Sequence, residues 1–281
     1  MPIGFTIVLF ACRLITIMPV VFYSTADPAS ANIASCLKGK FGFAGQGRVS
    51  VGEMQLPAFA NGEIFLVELD CPLYAADFLG DFPPGDLFVF ASKHRSEQGK
   101  PCYTVHAPGN WGEGASLGGS PNELQLTSAR ALQEFFERLK GNEMPVFREA
   151  THHGPTSLRS PSVFVELGSG EDEWGERRLA EPVAKAIVEG CNSFTSRNDK
   201  VALGFGGTHY CSAFESLPYA FSHVASKHVL DSMDAGMVKQ AIEKTEEPVE
   251  KAFLDWKGCN KQQRDKLVAA FEENGLEWER V

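Results

Sequence analysis

Five of the seven histidines directly follow short apolar runs that are typical of β-strands. They are His94, His106, His152, His153 and His209, in the contexts LFVFASKH, CYTVH, PVFREATHH and VALGFGGTH. In open α/β sheets, residues beyond the carboxyl ends of several strands line one crevice. A single histidine there is usually an ordinary loop residue, but five favour a site. Because imidazole titrates near neutral pH and binds metal ions, the pattern predicts a centre for proton transfer or metal-bound water.

The adjacent pair His152 and His153 lies in the segment EATHHGPT, residues 149–156, which also carries Glu149. In an extended chain, neighbouring side chains point to opposite sides. We therefore expect one of the two rings to face the reacting centre and the other to orient the loop. Gly154 and Pro155 predict a turn directly after the pair.

The glycine-rich segment GFGGTHY, residues 204–210, also follows a predicted strand. Glycines allow close backbone approach, and their N–H groups could hold an oxyanion or a phosphate. Without His209, such a loop would more often be a plain turn. The spacing GxGxxG and the motif GxxxxGK[ST] do not occur, so binding of NAD or ATP is not indicated. The hydrolase motifs GxSxG and HExxH do not occur either.

Three charged positions add further candidates. Lys93 and Arg95, in SKHRSE, could contact phosphates at a strand tip, although such a cluster is usually a solvated loop. Glu166 lies in the apolar run VFVELGS, where a buried carboxylate must be paired or metal-bound, unless it faces solvent at the strand end. Lys257 lies in DWKG, which offers an acid, a ring and a cation, but by itself is only a polar turn.

The overall charge limits the partners. The 281 residues include 26 Lys and Arg against 36 Asp and Glu, a formal net charge of −10. A broad basic surface for long nucleic acid or for an anionic membrane is therefore excluded. A small basic pocket that grips one end of a nucleic acid is not.

The seven cysteines are scattered and contain no CxxC pair, which excludes a zinc ribbon or a thioredoxin-type site. Scattered cysteines favour a reducing compartment, and we expect the cytoplasm. Residues 3–22 are almost continuously apolar, but Pro19 interrupts them and no basic region precedes them. We therefore expect an upstream extension or a buried strand rather than a targeting segment. Met18 is the expected natural start, with residues 1–17 as the extension and 18–281 as one domain.

Apolar runs alternate with helix-length amphipathic segments, which predicts an α/β fold with a mixed, mostly parallel sheet flanked by helices. Strands are expected at Val20–Ser24, Ile64–Leu69, Leu87–Phe90, Tyr103–Val105, Val146–Arg148, Val163–Leu167, Val201–Phe205 and Leu276–Val281. Helices are expected around Leu132–Leu139, Leu179–Gly190, Met237–Ala241 and Leu267–Phe271. For the first helix, SPNE at 120–123 has the form of a capping box, and Thr127 is a rival start. The glycine-rich stretches 39–47 and 109–119 predict surface loops, and His223 and His228 are expected to be structural.

Seven segments, in the same order, resemble the archaeal and plant type of D-aminoacyl-tRNA deacylase. The most specific pair is EATHHGPT at 149–156 and GGTHY at 206–210; the others are TADPAS at 25–30, SKH at 92–94, TVH at 104–106, VELGS at 165–169 and DWKG at 255–258. The resemblance runs from about Tyr23 to the C-terminus. One departure is Thr208, where the family often has a further glycine, and this residue narrows the loop.

The resemblance implies hydrolysis of the ester that joins a D-amino acid to the 3′ end of tRNA. It also implies a zinc requirement and a fold related to the phosphorylase and peptidyl-tRNA hydrolase group. Zinc lowers the pKa of bound water to about 7, which suits ester hydrolysis at neutral pH. The expected partner is the acceptor end of the tRNA, bound by a monomer that contacts neither membrane nor DNA.

The resemblance and the residue types together predict three sets of site residues. Catalytic roles are expected for His152, His153, His209 and Glu149. The expected metal ligands are His94, His106, His152, His209 and Glu166. Substrate contacts are expected from Lys93, Gly206, Gly207, Thr208 and Lys257, the lysines at terminal phosphates and the two glycines at the oxyanion. Which histidine is a ligand and which is the base stays open.

Two other functions fit the same sequence. One is an enzyme of the peptidyl-tRNA hydrolase or phosphorylase type that uses this fold on another bond. The other is a noncatalytic module that binds the tRNA end, in which the histidines are structural.

Overall fold

The computed structural model describes residues 18–96 and 99–281, so the predicted extension at residues 1–17 lies outside the described residues. The strands are β1 (Val20–Ser24), β2 (Ala44–Val51), β3 (Met54–Asn61), β4 (Ile64–Leu69), β5 (Phe88–Lys93), β6 (Cys102–His106), β7 (Gly109–Asn110), β8 (Glu123–Leu124), β9 (Val146–Arg148), β10 (Ser162–Gly168), β11 (Val201–Phe205), β12 (Ala220–Ala225), β13 (Val249–Leu254) and β14 (Trp278–Arg280). The α-helices are α1 (Pro28–Gly39), α2 (Ala129–Leu139), α3 (Glu171–Trp174), α4 (Arg177–Cys191), α5 (Ala235–Glu243) and α6 (Lys261–Glu273).

Eight strands form one large sheet in the order β2-β3-β4-β1-β5-β10-β6-β9. Its central strands β4, β1, β5 and β10 run parallel, whereas β6 is antiparallel to β10 and β9 is parallel to β6. Strands such as β1 and β10 are apolar runs that are buried throughout, as expected when both faces of a parallel sheet are covered. One face packs against α1, α2 and α4. The predicted mixed, mostly parallel sheet flanked by helices is confirmed.

A second sheet of four parallel strands has the order β12-β11-β13-β14. Helices α5 and α6 cover one of its faces, with Leu203, Leu254 and Phe271 in the shared core. Helix α2 packs against strands of both sheets. The two sheets are therefore joined by a common helix, which fixes their strand ends relative to each other.

The predicted strands and helices are all present. Four strands, β1, β4, β9 and β11, have the predicted bounds, and the remaining predicted elements differ by a few residues at their ends. Sequence reasoning missed α1, although its start carries ordinary signals: the Asp27 carboxylate accepts the Ser30 N–H at 3.1 Å, and Pro28 occupies the first turn. It also missed β12 and β13.

The predicted capping box at 120–123 is wrong. Helix α2 begins after Ser128, whose hydroxyl accepts the Ala131 N–H at 3.2 Å. The Glu247 carboxylate accepts the N–H groups of Ala129 and Arg130 at 2.9 and 3.0 Å. This anion comes from more than a hundred residues away, so no local pattern could indicate it.

Both predicted surface loops need correction. The stretch 39–47 becomes strand β2 at Ala44, because β2 pairs with β3 along its whole length. In the stretch 109–119, Gly109–Asn110 form strand β7, and Trp111 is buried with its Nε1–H donated to the Val224 carbonyl at 3.2 Å. Of the described helices, none is both long and apolar enough to span a membrane.

Candidate active site

The first group of site residues comes from the large sheet. His94 follows β5, and Glu166 on β10 lies beside Ser92, two residues before His94. His106 ends β6, pairs with Phe164 and stacks on its ring at a centroid distance of 4.9 Å. The sequence analysis expects residues beyond the carboxyl ends of parallel strands to meet at one edge of the sheet. This accounts for His94 but not for His106, because β6 is antiparallel to β10. His106 reaches the site because Phe164 lies only two residues from Glu166 on the same face of β10.

The segment 149–153 carries the second group from the large sheet to the smaller one. After β9, the Ala150 N–H donates to the His209 carbonyl at 2.7 Å and the Thr151 N–H donates to the Val224 carbonyl at 2.9 Å. His209, which follows β11, is thereby placed with its ring 4.7 Å from that of His152. The predicted meeting of the 152–153 pair with residue 209 is confirmed.

Both histidines of the pair face the cluster, so the expectation that only one does is wrong. His153 has a φ of 48°, a left-handed conformation that turns the chain instead of extending it. The ring centroids of His152 and His153 lie 4.1 and 4.9 Å from that of His106. Three imidazoles therefore meet at one point in a buried setting.

Glu149 is the centre of a second arrangement. Its buried Oε1 lies 2.7 Å from His209 Nε2 and 3.3 Å from His94 Nδ1. Burial alone would raise the pKa of Glu149, but its hydrogen bonds with His209 and His94 hold the pKa well below its usual range. Its other oxygen, Oε2, is buried and has no partner among the described residues.

His94 lies between two carboxylates and a hydroxyl. Its Nδ1 faces Glu149 and, at 3.8 Å, Glu166, while its Nε2 lies 3.1 Å from the Tyr210 hydroxyl. Burial lowers the pKa of His94, but contact with Cys102 and the two carboxylates outweighs it and raises the pKa to about 12. This imidazole therefore carries a positive charge at neutral pH.

The other three imidazoles have their tautomers fixed by main-chain carbonyls. The Nδ1 atoms of His106, His152 and His153 lie 3.2, 2.8 and 2.7 Å from the carbonyls of Ala107, Ala150 and Gly154. A carbonyl only accepts, so each Nδ1 donates, and the Nε2 of a neutral ring keeps its lone pair. Burial, reinforced by the neighbouring imidazoles, lowers the pKa of His153 to about 4 and that of His152 well below its usual value. His106 Nε2 is buried and has no hydrogen-bond partner in the described part of the chain.

Potential metal-binding atoms in this region form three overlapping groups. In each group, one ligand atom per residue lies within 4.8 Å of the others. The groups are His106 with His152 and His153, Glu149 with His152 and His209, and His94 with Glu149 and Glu166. All seven residues were predicted from the sequence as catalytic or metal-binding.

The matching family model is that of the D-aminoacyl-tRNA deacylases, over residues 82–279. The D-aminoacyl-tRNA deacylase of Methanocaldococcus jannaschii is 38% identical over 219 residues, which cover 72% of this chain and 84% of that protein. That of Thermococcus onnurineus is 34% identical over 279 residues, covering 93% and 99%. The chain belongs to the D-aminoacyl-tRNA deacylase family. A solved structure of a conserved protein of unknown function has a TM-score of 0.84 and 28% identity, and covers 95% of this chain and 96% of that one.

In this deacylase-family chain, one of the two N–H groups that were predicted to hold the oxyanion is already used within the fold. The Gly206 N–H donates to the Ala225 carbonyl at 2.8 Å, so the prediction of an oxyanion donor at Gly206 is wrong. The N–H groups of Gly207 and Thr208 donate to no described residue. An added Cβ at Gly258 would lie 3.1 Å from the Gly207 nitrogen, so the DWKG turn that carries Lys257 packs against this loop.

The two predicted lysines lie on different sheets. Lys93 ends β5, where its main-chain N–H donates to the Asp27 carboxylate at 3.2 Å and its ammonium lies 5.5 Å from the centre of the Trp174 ring. Lys257 is exposed beside the glycine loop. The phosphate contacts expected of these two lysines stay a prediction.

Sequence reasoning missed Tyr210 and Thr151 as parts of the site. Tyr210 occurs within the quoted GFGGTHY, but tyrosine lies outside a search for metal ligands. The Thr151 hydroxyl lies 3.2 Å from Nδ1 of buried His223, which the sequence left as structural. His223 is structural, as predicted, and it holds the segment that carries the pair. His228 is exposed.

Proposed function

We propose that this chain hydrolyses the ester bond of D-aminoacyl-tRNA and releases the free D-amino acid and the tRNA. The observation that carries the proposal is the convergence of five histidines and two glutamates in a family of deacylases. Ester hydrolysis needs an activated water, a donor for the leaving oxygen and a stabilised oxyanion. The cluster offers a side chain or N–H group for each.

The donor set fits a zinc ion. His152 and His153 present neutral Nε2 atoms, and all three histidines have Nδ1 beside a main-chain carbonyl, which is the usual arrangement around metal-binding histidines. Glu166, 3.8 Å from His106 Nε2, raises the pKa of His106, so this ring would lose its proton when a metal binds. The buried and unpartnered Nε2 of His106 and Oε2 of Glu149 are further signs of a missing ligand. These three histidines would hold the zinc. When bound, zinc lowers the pKa of a coordinated water to about 7.

His209 is placed to take the proton from water. Its Nε2–H donates to Glu149, so Nδ1 is left to accept, and the side chain is 42% exposed and therefore accessible to substrate. Glu149 fixes the ring and stabilises the imidazolium that forms, as the carboxylate does in a catalytic triad. His209 thus acts as the base, with Glu149 as its positioning residue.

Tyr210 is placed to donate to the departing 3′ oxygen. Protonated His94 donates Nδ1–H to Glu149 and Nε2–H to the Tyr210 oxygen. The phenolic hydrogen is then free to be donated to the leaving oxygen. The N–H groups of Gly207 and Thr208 supply the oxyanion contacts. Discrimination against L-aminoacyl-tRNA must come from a pocket that rejects the opposite Cα configuration, because both isomers carry the same groups.

The tRNA terminus is proposed to dock at the strand ends around the glycine loop. Lys227 and Lys257 are exposed there and form no ion pair or hydrogen bond with described side chains, whereas lysines elsewhere on the same sheet, such as Lys200 and Lys251, pair with glutamates. The Lys227 N–H donates to the Gly207 carbonyl at 3.0 Å, which keeps this lysine beside the catalytic loop. Such unpaired cations suit a phosphate backbone. We place this reaction in the cytoplasm and infer a monomer, to be checked by fractionation and by light scattering.

A paired assay tests the function. Purified protein is incubated with D-tyrosyl-tRNA and L-tyrosyl-tRNA, with and without a chelator, and its metal content is measured. We expect hydrolysis of the D form alone, lost with chelator and regained with zinc. His152→Ala and His153→Ala variants should lose activity but keep their fold by circular dichroism. Full activity in both variants would remove the pair from the mechanism.

Two outcomes would favour the rival functions. Cleavage of N-acetyl-aminoacyl-tRNA in preference to D-tyrosyl-tRNA would indicate a peptidyl-tRNA hydrolase. Binding of tRNA without any hydrolysis, in protein with a full complement of metal, would indicate a noncatalytic module.

A further inference from the structure

A cavity of about 300 Å³ lies outside the histidine cluster, between helix α2, strand β9 and the loop before β12. On β9, Phe147 faces the cluster, since its ring contacts Tyr210 at 5.3 Å. The next residue, Arg148, points to the opposite side, as alternate residues of a strand do, and lines the cavity. The volume of the cavity is at the lower end of the range for small-molecule sites.

Arg148 is a buried cation without an anion. Its residue is 6% exposed, and its guanidinium lies 4.3 Å from the centre of the Phe136 ring. One NH₂ group donates to the Gln133 side-chain oxygen, but Nε is buried and has no partner, and no described carboxylate pairs with the group. A buried charge in this state is costly. A planar guanidinium that lines a cavity is the group that recognises a carboxylate in a paired geometry.

The acidic residues of the cavity are not equivalent. Glu137 accepts from Gln133 and Lys140, both at 2.8 Å, and Asp199 binds Arg197 through both oxygens. Glu215 is exposed at the rim and has no ion pair or hydrogen bond within the described residues. The lining of the cavity therefore includes one buried cation and one exposed carboxylate, neither of them ion-paired with a described residue.

We propose that this cavity binds a free α-amino acid. The ligand carboxylate would bind Arg148, its ammonium group would bind Glu215, and an apolar side chain would pack against Phe136, Leu217 and Tyr219. A zwitterion satisfies both free charges at once, which neither a simple anion nor a simple amine can do. The inference stands apart from the proposed deacylation, although its ligand belongs to the class of that reaction's product.

Calorimetric titration of the full chain tests the proposal without an activity assay. The probes are L- and D-phenylalanine, 3-phenylpropionate, which lacks the ammonium group, and phenethylamine, which lacks the carboxylate. We expect phenylalanine to bind and both analogues to bind at least about tenfold more weakly, since phenethylamine leaves buried Arg148 without an anion and 3-phenylpropionate leaves Glu215 without a cation. Glu215→Gln, an exposed change that should not disturb folding, should weaken phenylalanine binding about tenfold. Glu272→Gln on α6 is the matched control and should leave binding unchanged.

Three results would overturn the inference. One is no binding of phenylalanine at millimolar concentration, and another is equal binding of 3-phenylpropionate. The third is binding that Glu215→Gln leaves intact and that His153→Ala removes, because this would place the amino acid in the histidine cluster. Arg148→Gln, in samples shown by circular dichroism to be folded, should abolish binding.

Discussion

At the residue scale, the site is built from imidazoles in two different states. His94 lies beside two carboxylates and is charged, whereas His152 and His153 lie among other imidazoles and are neutral at physiological pH. Neighbours rather than residue type set this difference, because all of these rings are largely buried. A charged imidazole donates hydrogen bonds, and neutral ones offer lone pairs. In the proposed mechanism, the neutral imidazoles would hold the metal and the charged one would donate hydrogen bonds.

Tyr210→Phe tests the proposed proton donor. The ring contact with Phe147 does not need the hydroxyl, so the variant should fold and bind tRNA normally. Loss of a positioned donor should lower kcat for D-tyrosyl-tRNA about a hundredfold and leave KM nearly unchanged. Steady-state kinetics at saturating metal measure both values. A raised KM with an unchanged kcat would instead give Tyr210 a role in substrate binding.

Glu149→Gln tests the link between His94 and His209. The amide keeps the shape of the side chain but not its charge, so His209 loses its orienting partner and the pKa of His94 falls. We expect kcat/KM to fall by about 10³-fold, comparable to removing the charge of a triad carboxylate. A new loss of activity should also appear on the alkaline side of the pH profile, as His94 deprotonates earlier. Glu273→Gln, at an exposed position of α6, is the control, and equal profiles for both variants would contradict the assignment.

At the element scale, the segment 149–153 depends on a hydrogen-bond chain that runs into the second sheet. His223 Nε2–H donates to the Lys244 carbonyl at 3.2 Å, so Nδ1 accepts from the Thr151 hydroxyl, whose oxygen accepts the Val224 N–H. These hydrogen bonds require a neutral His223, because Nδ1 of a protonated imidazole could not accept the Thr151 hydroxyl. The strand β12 therefore fixes the segment that carries the histidine pair.

His223→Gln should change how stability depends on pH. Burial lowers the pKa of His223 to about 4, against about 6.5 in the unfolded chain. Between these values the unfolded state binds a proton that the folded state does not, so stability falls as the pH falls from about 6.5 to 4, by up to about 1.4 kcal/mol per pH unit for this group. The variant should be less stable at pH 7.5 by about 1–3 kcal/mol. Between pH 6 and 5, the free energy of unfolding should fall less for the variant than for the wild type, as measured by urea unfolding. Parallel pH curves for the two proteins would contradict a neutral His223.

The sequence predicted elements with strong local patterns and missed those that depend on distant partners. Buried strands such as β1 and β11 are continuous apolar runs, so their bounds could be read directly. Strand β2 is mostly exposed and contains glycine, and it is a strand only because β3 pairs with it. His106 was found by the strand-end rule, which does not apply to it, since no sequence pattern shows that β6 runs antiparallel. The left-handed conformation of His153 could not be predicted from two adjacent histidines either. This conformation is the reason why the rings of both His152 and His153 face the cluster.

At the scale of the whole molecule, the proposed catalytic residues come from both sheets, and the proposed docking lysines Lys227 and Lys257 follow strands of the second sheet. The large sheet supplies His94, His106 and Glu166, and the second sheet supplies the glycine loop with His209. The net charge of −10 repels nucleic acid over most of the surface. Cations without acidic partners at the strand ends of the second sheet would then orient the tRNA as well as bind it.

The double variant Lys227→Gln, Lys257→Gln tests whether the tRNA docks at the strand ends of the second sheet. Each lysine that neutralises a phosphate adds about one unit to the slope of log affinity against log salt, so the double variant should lower that slope by about two. At low salt KM for D-tyrosyl-tRNA should rise at least tenfold while kcat stays the same, because neither lysine reaches the reacting atoms in the proposed mechanism. Lys239→Gln is the control, since Lys239 on α5 is already held 3.7 Å from Glu243 and should bind no phosphate. If the control changes the slope as much as the double variant does, the tRNA does not dock at these strand ends and long-range charge alone accounts for binding.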